Sequence, residues 1–167
     1  MTPGIRARPA APEDAPAIAA IYNEGIQDRI ATFETRLRTA DDILSWLGTR
    51  YPVVVIEDGG RLVAFAATST YRPRECYRGI AEFSIYVARD LRGRGYGRAA
   101  MEALFEAAAR AGFWKLVSRV LVENAASRVL MQKTGFREVG IYMRHAQLDG
   151  EWRDVVIVEK LLVEAHR

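Results

Sequence analysis

Cysteine and histidine are scarce in this sequence of 167 residues, which has one cysteine, Cys76, and two histidines, His145 and His166. A single cysteine cannot form an internal disulfide, and so few thiol and imidazole groups argue against a structural zinc site. Long hydrophobic runs are also missing, since none approaches the ~20 residues that a helix needs to cross a bilayer. The opening residues, MTPGIR, lack the continuous apolar segment of a secretion signal. We therefore expect a cytoplasmic protein with no metal ligands and no membrane contact.

The charge balance is close to even and provides no long basic face. The net charge is +3, and the arginines are spread along the chain except for a cluster at Arg89, Arg92, Arg94 and Arg98. Nucleic-acid-binding domains more often combine a long basic face with interleaved aromatic residues, so a local anionic ligand explains the cluster better than nucleic acid. Half of the residues are hydrophobic and 27% are charged. This composition and the chain length predict one globular domain over residues 1–167.

Hydrophobic periodicity and turn residues predict an alternation of helices and strands. After an extended lead at 5–8, helices are expected at 12–27, from 39 onward, at 99–111 and at 125–134. Strands are expected at 53–57, 61–69, 81–88, 115–122, 136–147 and 152–163. Thr39 and Asp42 resemble a capping box, and Asp-Gly pairs at 58–59 and 149–150 are hairpin signals. The order of elements predicts an α/β (α+β) fold with a mixed sheet and helices on both faces.

A glycine-rich loop separates the strand that ends near Val87 from the long helix that follows. Glycine recurs at every second position, so the backbone N–H groups are unobstructed and can cradle a phosphate at the helix N-terminus. Its arginines can add charge-assisted contacts to phosphate oxygens. The spacing fits neither a Walker motif nor the dinucleotide fingerprint, and the remaining alternative is a tight turn with solvated arginines. The loop consists of Arg92, Gly93, Arg94, Gly95, Tyr96, Gly97 and Arg98.

Two segments resemble the cofactor-binding motifs of the GNAT acetyltransferase superfamily. Arg92-x-x-Gly95-x-Gly97 is similar to its R/Q-x-x-G-x-G/A signature, and the NAAS segment at 124–127 with KTGF at 133–136 is similar to its second cofactor segment. The resemblance covers nearly the whole chain and implies the GNAT fold, with a mostly antiparallel sheet of about six to seven strands. It also implies acetyl-CoA as cofactor. By resemblance, the loop 92–98, the backbone of Ile85, Tyr86 and Val87, and the side chains of Asn124 and Ser127 bind it.

Further segments resemble the phosphinothricin acetyltransferase branch, which includes methionine sulfone and arsinothricin acetyltransferases. They are IYN at 21–23, TFE at 32–34, AEFSIYV at 81–87 and GEWRDV at 150–155. Members acetylate the α-amino group of glutamate-like amino acids, so the resemblance implies a detoxifying N-acetyltransferase whose substrate is a small amino acid with an anionic tail. Members of this branch often form dimers, which makes a homodimer through the closing hairpin an expectation.

The catalytic groups are also assigned by resemblance. Glu82 stands where the branch has its catalytic glutamate and is expected to be the general base that deprotonates the amine, while the Val87 amide is expected to donate to the oxyanion. Many members use a tyrosine to protonate the leaving thiolate, but Met131 stands at that position and cannot donate a proton. The alternatives are that Glu82 is only a salt-bridge partner for an arginine, and that Asn124 only caps the helix after it.

The substrate pocket is expected to involve the arginine-rich loop 71–78. Arg72, Arg74 and Tyr77 match polar or basic positions of the branch, and paired guanidinium groups suit an oxyanionic tail. The alternative is a solvated loop. Phe33 resembles an aromatic pocket wall but fits the core equally well. His145 is assigned a structural role, with a place at the active-site mouth as the alternative. Acetylation of a protein N-terminus or an antibiotic amine, a non-catalytic acyl-CoA-sensing domain, and nucleic-acid binding through the arginines at 89–98 stay open as other functions.

Overall fold

The computed structural model describes residues 4–162, in which seven strands alternate with four α-helices. The strands are β1 (Ile5–Pro9), β2 (Val53–Asp58), β3 (Arg61–Thr70), β4 (Ile80–Val87), β5 (Lys115–Leu121), β6 (Arg137–Leu148) and β7 (Glu151–Leu161). The helices are α1 (Ala15–Gln27), α2 (Ala40–Leu44), α3 (Tyr96–Arg110) and α4 (Ala125–Lys133). The predicted end of the last strand at Val163 lies outside the described residues, as does His166.

All seven strands form one sheet in the order β1-β2-β3-β4-β5-β7-β6. Within residues 4–162, β4 and β5 form the one parallel pair, and every other neighbouring pair is antiparallel. The parallel pair needs a crossover connection, and α3 supplies it. The predicted mixed, mostly antiparallel sheet is confirmed.

Helices cover both faces of the sheet and each face has its own core. On one face α3 buries Met101 and Leu104 against strand residues such as Phe83. On the other face α1 and α2 bury Ile18 and Ile43 against β2, β3 and β4. Burying the apolar stripe of each helix against the sheet is the main source of stability in this arrangement. The sequence prediction of helices on both faces is confirmed.

Turn and cap signals in the sequence produce the structures expected of them. The Thr39 side chain accepts a hydrogen bond from the Asp42 amide at 3.3 Å, and the Asp42 carboxylate accepts one from the Thr39 amide at 2.8 Å, which completes the capping box. The predicted start of α3 at residue 99 is wrong by one turn, since the helix begins at Tyr96. Gly95 lies in the left-handed region with φ 89° and ends the preceding loop, so the first helical bond joins the Ala99 amide to the Gly95 carbonyl.

A charged cluster fixes the entry of the chain into α1. Arg8 on β1 donates hydrogen bonds of 2.7 and 2.8 Å to the two carboxylate oxygens of Asp14 and one of 2.6 Å to Glu57. Asp14 is buried, and its carboxylate also accepts from the Ala11 amide at 2.7 Å. The hydrogen bond from Arg8 is the main cause that lowers the pKa of Asp14. Because both partners are largely shielded from water, this bidentate pair is stronger than an ordinary surface ion pair.

The stability of the fold should depend on pH through Asp14. A lowered pKa means that this contact stabilises the folded state above the unfolded-state pKa and is lost as the pH falls through the folded-state pKa. We expect Asp14→Asn to reduce the free energy of unfolding by about 1–3 kcal/mol near pH 7. The difference from the unsubstituted protein should shrink below about pH 4. Urea denaturation of both proteins across this range measures it, and a difference independent of pH would contradict the role given to Asp14.

Close packing of α1 on β4 requires glycine at position 25. A Cβ atom on Gly25 would lie 2.5 Å from Cδ1 and from Cε1 of the Tyr86 ring. That ring is buried between Tyr22, 5.0 Å away between centroids in an edge-to-face contact, and Phe65, 5.5 Å away and stacked. The ring cannot move aside without disturbing this aromatic cluster.

We expect Gly25→Ala to lower the free energy of unfolding by about 1–3 kcal/mol through overpacking, despite the better helix propensity of alanine. Gly140→Ala is the matched control, because a Cβ there meets no atom within 4 Å. The control should change stability by less than about 0.5 kcal/mol. Equal effects in thermal or urea denaturation would show that the contact with Tyr86 is not the cause.

Candidate functional site

The parallel strands β4 and β5 separate halfway along their length. They are paired only at Ile80 with Lys115, Ala81 with Leu116 and Glu82 with Val117, although β4 continues to Val87 and β5 to Leu121. Immediately beyond the last pair, the Ser118 hydroxyl donates a hydrogen bond of 2.9 Å to the Phe83 carbonyl. A side chain therefore replaces the ladder bond at the point of separation, and a wedge-shaped opening follows it in the middle of the sheet.

The backbone of β4 presents hydrogen-bonding groups to this opening. Peptide groups along a strand alternate between its two neighbours. The Ala88 amide bonds the Val63 carbonyl on the β3 side at 2.9 Å, whereas the Phe83 carbonyl faces Ser118 on the β5 side. By this alternation the peptide groups of Ile85 and Val87 face the opening, and the amide of Tyr86 faces β3. Three residues were predicted to bind the cofactor through their backbone. Ile85 and Val87 present peptide groups to the opening, and Tyr86 does not.

A cavity of about 590 Å³ occupies the opening and extends to the loop after α1. Six of the site residues predicted from the sequence line it: Phe33, Glu82, Ile85, Tyr86, Asn124 and Ser127. Phe33 also packs against the small cluster of Leu121, Leu148 and Val155, so it is pocket wall and core at once. Burial raises the pKa of the Tyr86 hydroxyl, so this residue stays neutral.

Glu82 lies at the mouth of the wedge and is paired with Arg119 of β5. One guanidinium nitrogen, Nη2 of Arg119, lies 3.1 and 3.2 Å from the two carboxylate oxygens of Glu82. The expectation that Glu82 could be a salt-bridge partner is therefore met, and the same carboxylate still lines the cavity. Arg119 lines the cavity too, and sequence reasoning did not include it among the site residues.

A bulge in β6 directs His145 into the same cavity. The register with β7 shifts between Tyr142 and Ala146, and Arg144 within this bulge has φ 47° while its amide donates to the Asp154 carboxylate at 2.7 Å. β-Bulges re-aim side chains in this way. His145 lines the cavity, with its ring 5.0 Å from that of Tyr142. The structural role predicted for His145 is incomplete, because alternation along an unbroken strand could not reveal the bulge.

The glycine-rich loop has the geometry of an anion-binding nest at the start of α3. Gly93 and Gly95 have φ of 79° and 89°, and a Cβ on either would meet no atom within 4 Å. The first amides of α3 have no carbonyl within the helix to bond, so they are available to an anion. Gly97 lies close to α4, since a Cβ there would be 3.1 Å from Cδ2 of Leu130, and that side chain would have to shift. Tyr96 points away, with its ring buried and its hydroxyl donating to Asp58.

The fold's own acids neutralise most arginines around this loop. Arg92 pairs with Asp28 at 2.6 Å, and Arg98 pairs with Glu102 at 3.0 Å. Arg89 also pairs with Asp28, at 2.8 Å. Burial acts to raise the pKa of Asp28, but the hydrogen bonds from Arg92 and Arg89 outweigh it and lower this pKa. Within residues 4–162, Arg94 has no ion-pair partner, so it is the cation of the loop best placed to meet a phosphate.

Asn124 lies at the N-terminus of α4 on the far side of the opening. Its side-chain oxygen accepts a hydrogen bond of 3.2 Å from the Ser127 amide, so it caps the helix, as one of the two interpretations of the sequence held. The cap uses the oxygen and leaves the NH₂ group for another partner. Asn124, Ser127 and Met131 all line the cavity, and Met131 is otherwise buried.

The residues predicted to bind the substrate tail lie outside the cavity lining. Arg72 and Arg74 are exposed on the loop between β3 and β4. The Arg72 guanidinium lies 5.1 Å above the Tyr71 ring, which contacts the Tyr77 ring edge-on at 5.7 Å. The neighbouring Tyr71 is the main cause that raises the pKa of Arg72, and Tyr77 adds to it. The predicted role of Arg72, Arg74 and Tyr77 in substrate binding stays a prediction.

Two further structural findings concern the described part of the chain. Among residues 4–162 there is no group of three or more histidine, cysteine, aspartate or glutamate side chains arranged to hold a metal ion. None of the helices in this part has the length and apolar character required to cross a membrane. The cytoplasmic location expected from the sequence stays a prediction.

Comparison with known proteins agrees with this geometry. The model of the "Acetyltransferase (GNAT) family" matches residues 18–136. An L-methionine sulfoximine/L-methionine sulfone acetyltransferase of Pseudomonas aeruginosa is 32% identical over 157 residues, which cover 91% of each chain. The structure of a ribosomal-protein-alanine N-acetyltransferase from Brucella melitensis superposes with a TM-score of 0.88 at 33% identity, over 93% of this chain and 99% of that one.

A phosphinothricin acetyltransferase from Sinorhizobium meliloti, solved in complex with acetyl-CoA, superposes with a TM-score of 0.87. It is 26% identical, and the match covers 95% of this chain and 88% of that one. The wedge between β4 and β5 and the nest at α3 fit this cosubstrate, since they offer backbone donors for its amide and phosphate groups. The chain thus belongs to the acetyltransferase (GNAT) family, and it is an acetyl-CoA-dependent N-acetyltransferase.

Proposed function

We propose that this enzyme transfers the acetyl group of acetyl-CoA to the α-amino group of a small glutamate-like amino acid, of the phosphinothricin, arsinothricin or methionine sulfone type, and thereby detoxifies it. The observation that carries the proposal is the meeting of Glu82 with Ile85 at one cavity, while the Val87 amide faces the same opening between β4 and β5. The names of the Pseudomonas and Sinorhizobium proteins support the choice of acceptor.

Side chains and backbone groups at this site have different roles in acyl transfer. An amino acid reaches the site mostly as an ammonium, so Glu82 removes a proton, directly or through water, to give the neutral amine that attacks the thioester carbonyl. The Val87 amide donates a hydrogen bond to the oxyanion as the new C–N bond forms. When the C–S bond breaks, the electron pair leaves with the thiolate. The nitrogen becomes cationic as it bonds to carbon and must lose a second proton. Met131 cannot donate a proton to the thiolate, so water carries this second proton from the nitrogen to the sulfur.

The size and polarity of the cavity suit an amino-acid acceptor. A second cavity of about 420 Å³ adjoins the first and shares Tyr22, Ser69 and Ser84 with it. Hydroxyl groups of β3 and of the segment after α2 line this second space, with Arg38 among them. A polar side chain of the substrate has room there, while its amino group lies near Glu82. In this proposal Arg72, Arg74 and Tyr77 approach the anionic tail from the neighbouring loop.

A protein N-terminus is the second candidate acceptor. The Brucella ribosomal-protein-alanine N-acetyltransferase favours it, because its structure is as similar to this chain as the amino-acid acetyltransferases are. Both substrates present a primary amine next to a carbonyl carbon. They differ in that a free amino acid has an anionic carboxylate where a protein has a neutral peptide group.

Release of coenzyme A thiol tests the proposal directly. We expect turnover with phosphinothricin, arsinothricin, methionine sulfone or methionine sulfoximine, and none with a short peptide that begins with alanine. Turnover of the peptide alone would replace the amino-acid proposal by the second candidate. Absence of turnover with every amine, while acetyl-CoA raises the melting temperature, would favour a non-catalytic acyl-CoA-sensing domain.

Substitution of the base provides a separate prediction. We expect Glu82→Gln to lower kcat/KM by about 10²–10⁴-fold, because the amide cannot accept the proton. Binding of acetyl-CoA, measured by calorimetry, should be unchanged. Glu106→Gln is the matched control, since Glu106 is an exposed carboxylate of α3 that contacts only Arg110 among the described ion pairs. Activity of Glu82→Gln equal to that of the control would reject Glu82 as the base.

A homodimer through β6 is the remaining part of the proposal. β6 is an edge strand, and it exposes a patch of large apolar side chains together with its neighbour β7: Val139, Ile141, Tyr142, Met143 and Trp152. Met143 is 77% exposed. A long edge strand can pair with a strand of another chain, and an exposed apolar patch is stabilised when it is buried. In a twofold-symmetric dimer both copies bury the same patch against each other.

Light scattering during gel filtration tests the dimer. The unsubstituted protein should elute with twice the chain mass, and Ile141→Lys should elute as a monomer because the lysine charge cannot be buried in the interface. Val129→Lys, at an exposed apolar position of α4, should leave the mass unchanged. A monomeric mass for the unsubstituted protein would contradict the proposed interface.

A further inference from the structure

Arg119 has donors in the active-site cavity beyond those that its pair with Glu82 uses. Only Nη2 contacts the Glu82 carboxylate, at 3.1 and 3.2 Å. Within residues 4–162, Nη1 and Nε of Arg119 make no hydrogen bond to protein, and the side chain is 48% exposed. A guanidinium has five N–H donors in a fixed plane, so it can bind a second carboxylate while it keeps the first.

The pair of charges matches the charges of a free α-amino acid. In such a molecule the ammonium nitrogen and the carboxylate carbon are attached to the same carbon atom, and opposite charges lie side by side. The Glu82 carboxylate suits the ammonium, which it must deprotonate, and the adjacent Arg119 guanidinium suits the carboxylate. Resting on the proposed function, we propose that Arg119 binds the α-carboxylate of the acceptor and so makes the enzyme specific for free α-amino acids over peptide N-termini.

No other arginine of the described residues lines this cavity. Arg38 lines the adjoining cavity, but its Nη2 donates to Glu34 at 2.8 Å and its Nη1 donates to the Arg36 carbonyl. Arg72 and Arg74 lie on the exposed loop and are assigned to the substrate tail. Arg119 is thus the cation that can reach a carboxylate whose neighbouring amine is at Glu82.

Arg119 could instead serve only to hold Glu82 in place, and the two roles differ in a measurable way. If Arg119 only positions Glu82, its loss impairs deprotonation of every amine equally. If it binds the carboxylate, its loss impairs free amino acids far more than their carboxamides, which lack the negative charge. The two amines differ in basicity, but this difference affects the unsubstituted and substituted enzymes alike and cancels in the ratio of their selectivities.

The experiment compares methionine sulfone with methionine sulfone carboxamide as acceptors for the unsubstituted enzyme, Arg119→Gln and Arg119→Lys. We expect Arg119→Gln to lower kcat/KM for the free acid by about 10–100-fold, mainly through KM, and to change that for the carboxamide by less than about threefold. Arg119→Lys should recover part of the loss because it restores the charge. Arg110→Gln, an exposed arginine of α3, is the matched control and should preserve both values.

Equal losses for the two acceptors would overturn the proposal and leave Arg119 as a positioning residue for Glu82. Failure of the proposed function is distinguishable, because then the unsubstituted enzyme acetylates neither acceptor. In that case calorimetry with methionine sulfone in the presence of coenzyme A decides the role of Arg119. If Arg119→Gln weakens the binding of methionine sulfone about 10-fold or more, the carboxylate-binding role of Arg119 is supported. If Arg119→Gln leaves this binding unchanged, or if the unsubstituted enzyme does not bind methionine sulfone, that role is overturned. Circular dichroism confirms that each variant is folded.

Discussion

The separation of β4 from β5 is the constraint on which the rest of the structure depends. Two parallel strands paired at only three positions leave their remaining peptide groups without a partner on the neighbouring strand. Buried peptide groups need a hydrogen-bond partner of some kind. Ser118 satisfies the Phe83 carbonyl at the point of separation, and the Val87 carbonyl accepts a hydrogen bond of 3.4 Å from Nε of Arg92. The peptide groups of Ile85 and the Val87 amide face the opening. The flanking pairs of β3 with β4 and of β5 with β7 are long and continuous, so they hold the wedge open. We propose that acetyl-CoA binds in this gap.

Charge is arranged around the wedge so that few arginines remain for ligands. Asp28 forms ion pairs with Arg89 and Arg92 beside the glycine-rich loop. Within residues 4–162, Arg94 of this loop has no ion-pair partner and can meet an anion. Glu82 occupies one donor of Arg119 in the acceptor cavity and leaves others available. The arginine count of the sequence therefore exaggerates how much positive charge the site presents. In the proposed function, selectivity depends on the few guanidinium groups that the acidic side chains do not fully engage.

Much of this could be predicted from the sequence, because its strongest signals are local. The capping box at Thr39, the hairpin at Asp149-Gly150 and the strand-loop-helix order around Gly95 each depend on a few adjacent residues, and the structure has them. The start of α3 was missed because glycines at 93, 95 and 97 look alike in sequence, although only the first two have positive φ. The pair of Glu82 with Arg119 and the bulge before His145 depend on register between distant strands. No local pattern encodes that register.

Amide hydrogen exchange on β4, followed by NMR with and without acetyl-CoA, tests most directly whether the wedge is the acetyl-CoA site. In the free enzyme the Tyr86 amide should exchange slowly because it faces β3, while the amides of Ile85 and Val87 exchange much faster because they face the opening between β4 and β5. Addition of acetyl-CoA should slow Ile85 and Val87 and leave Tyr86 nearly unchanged. Equal protection of all three amides in the free enzyme, or no slowing on binding, would contradict this account.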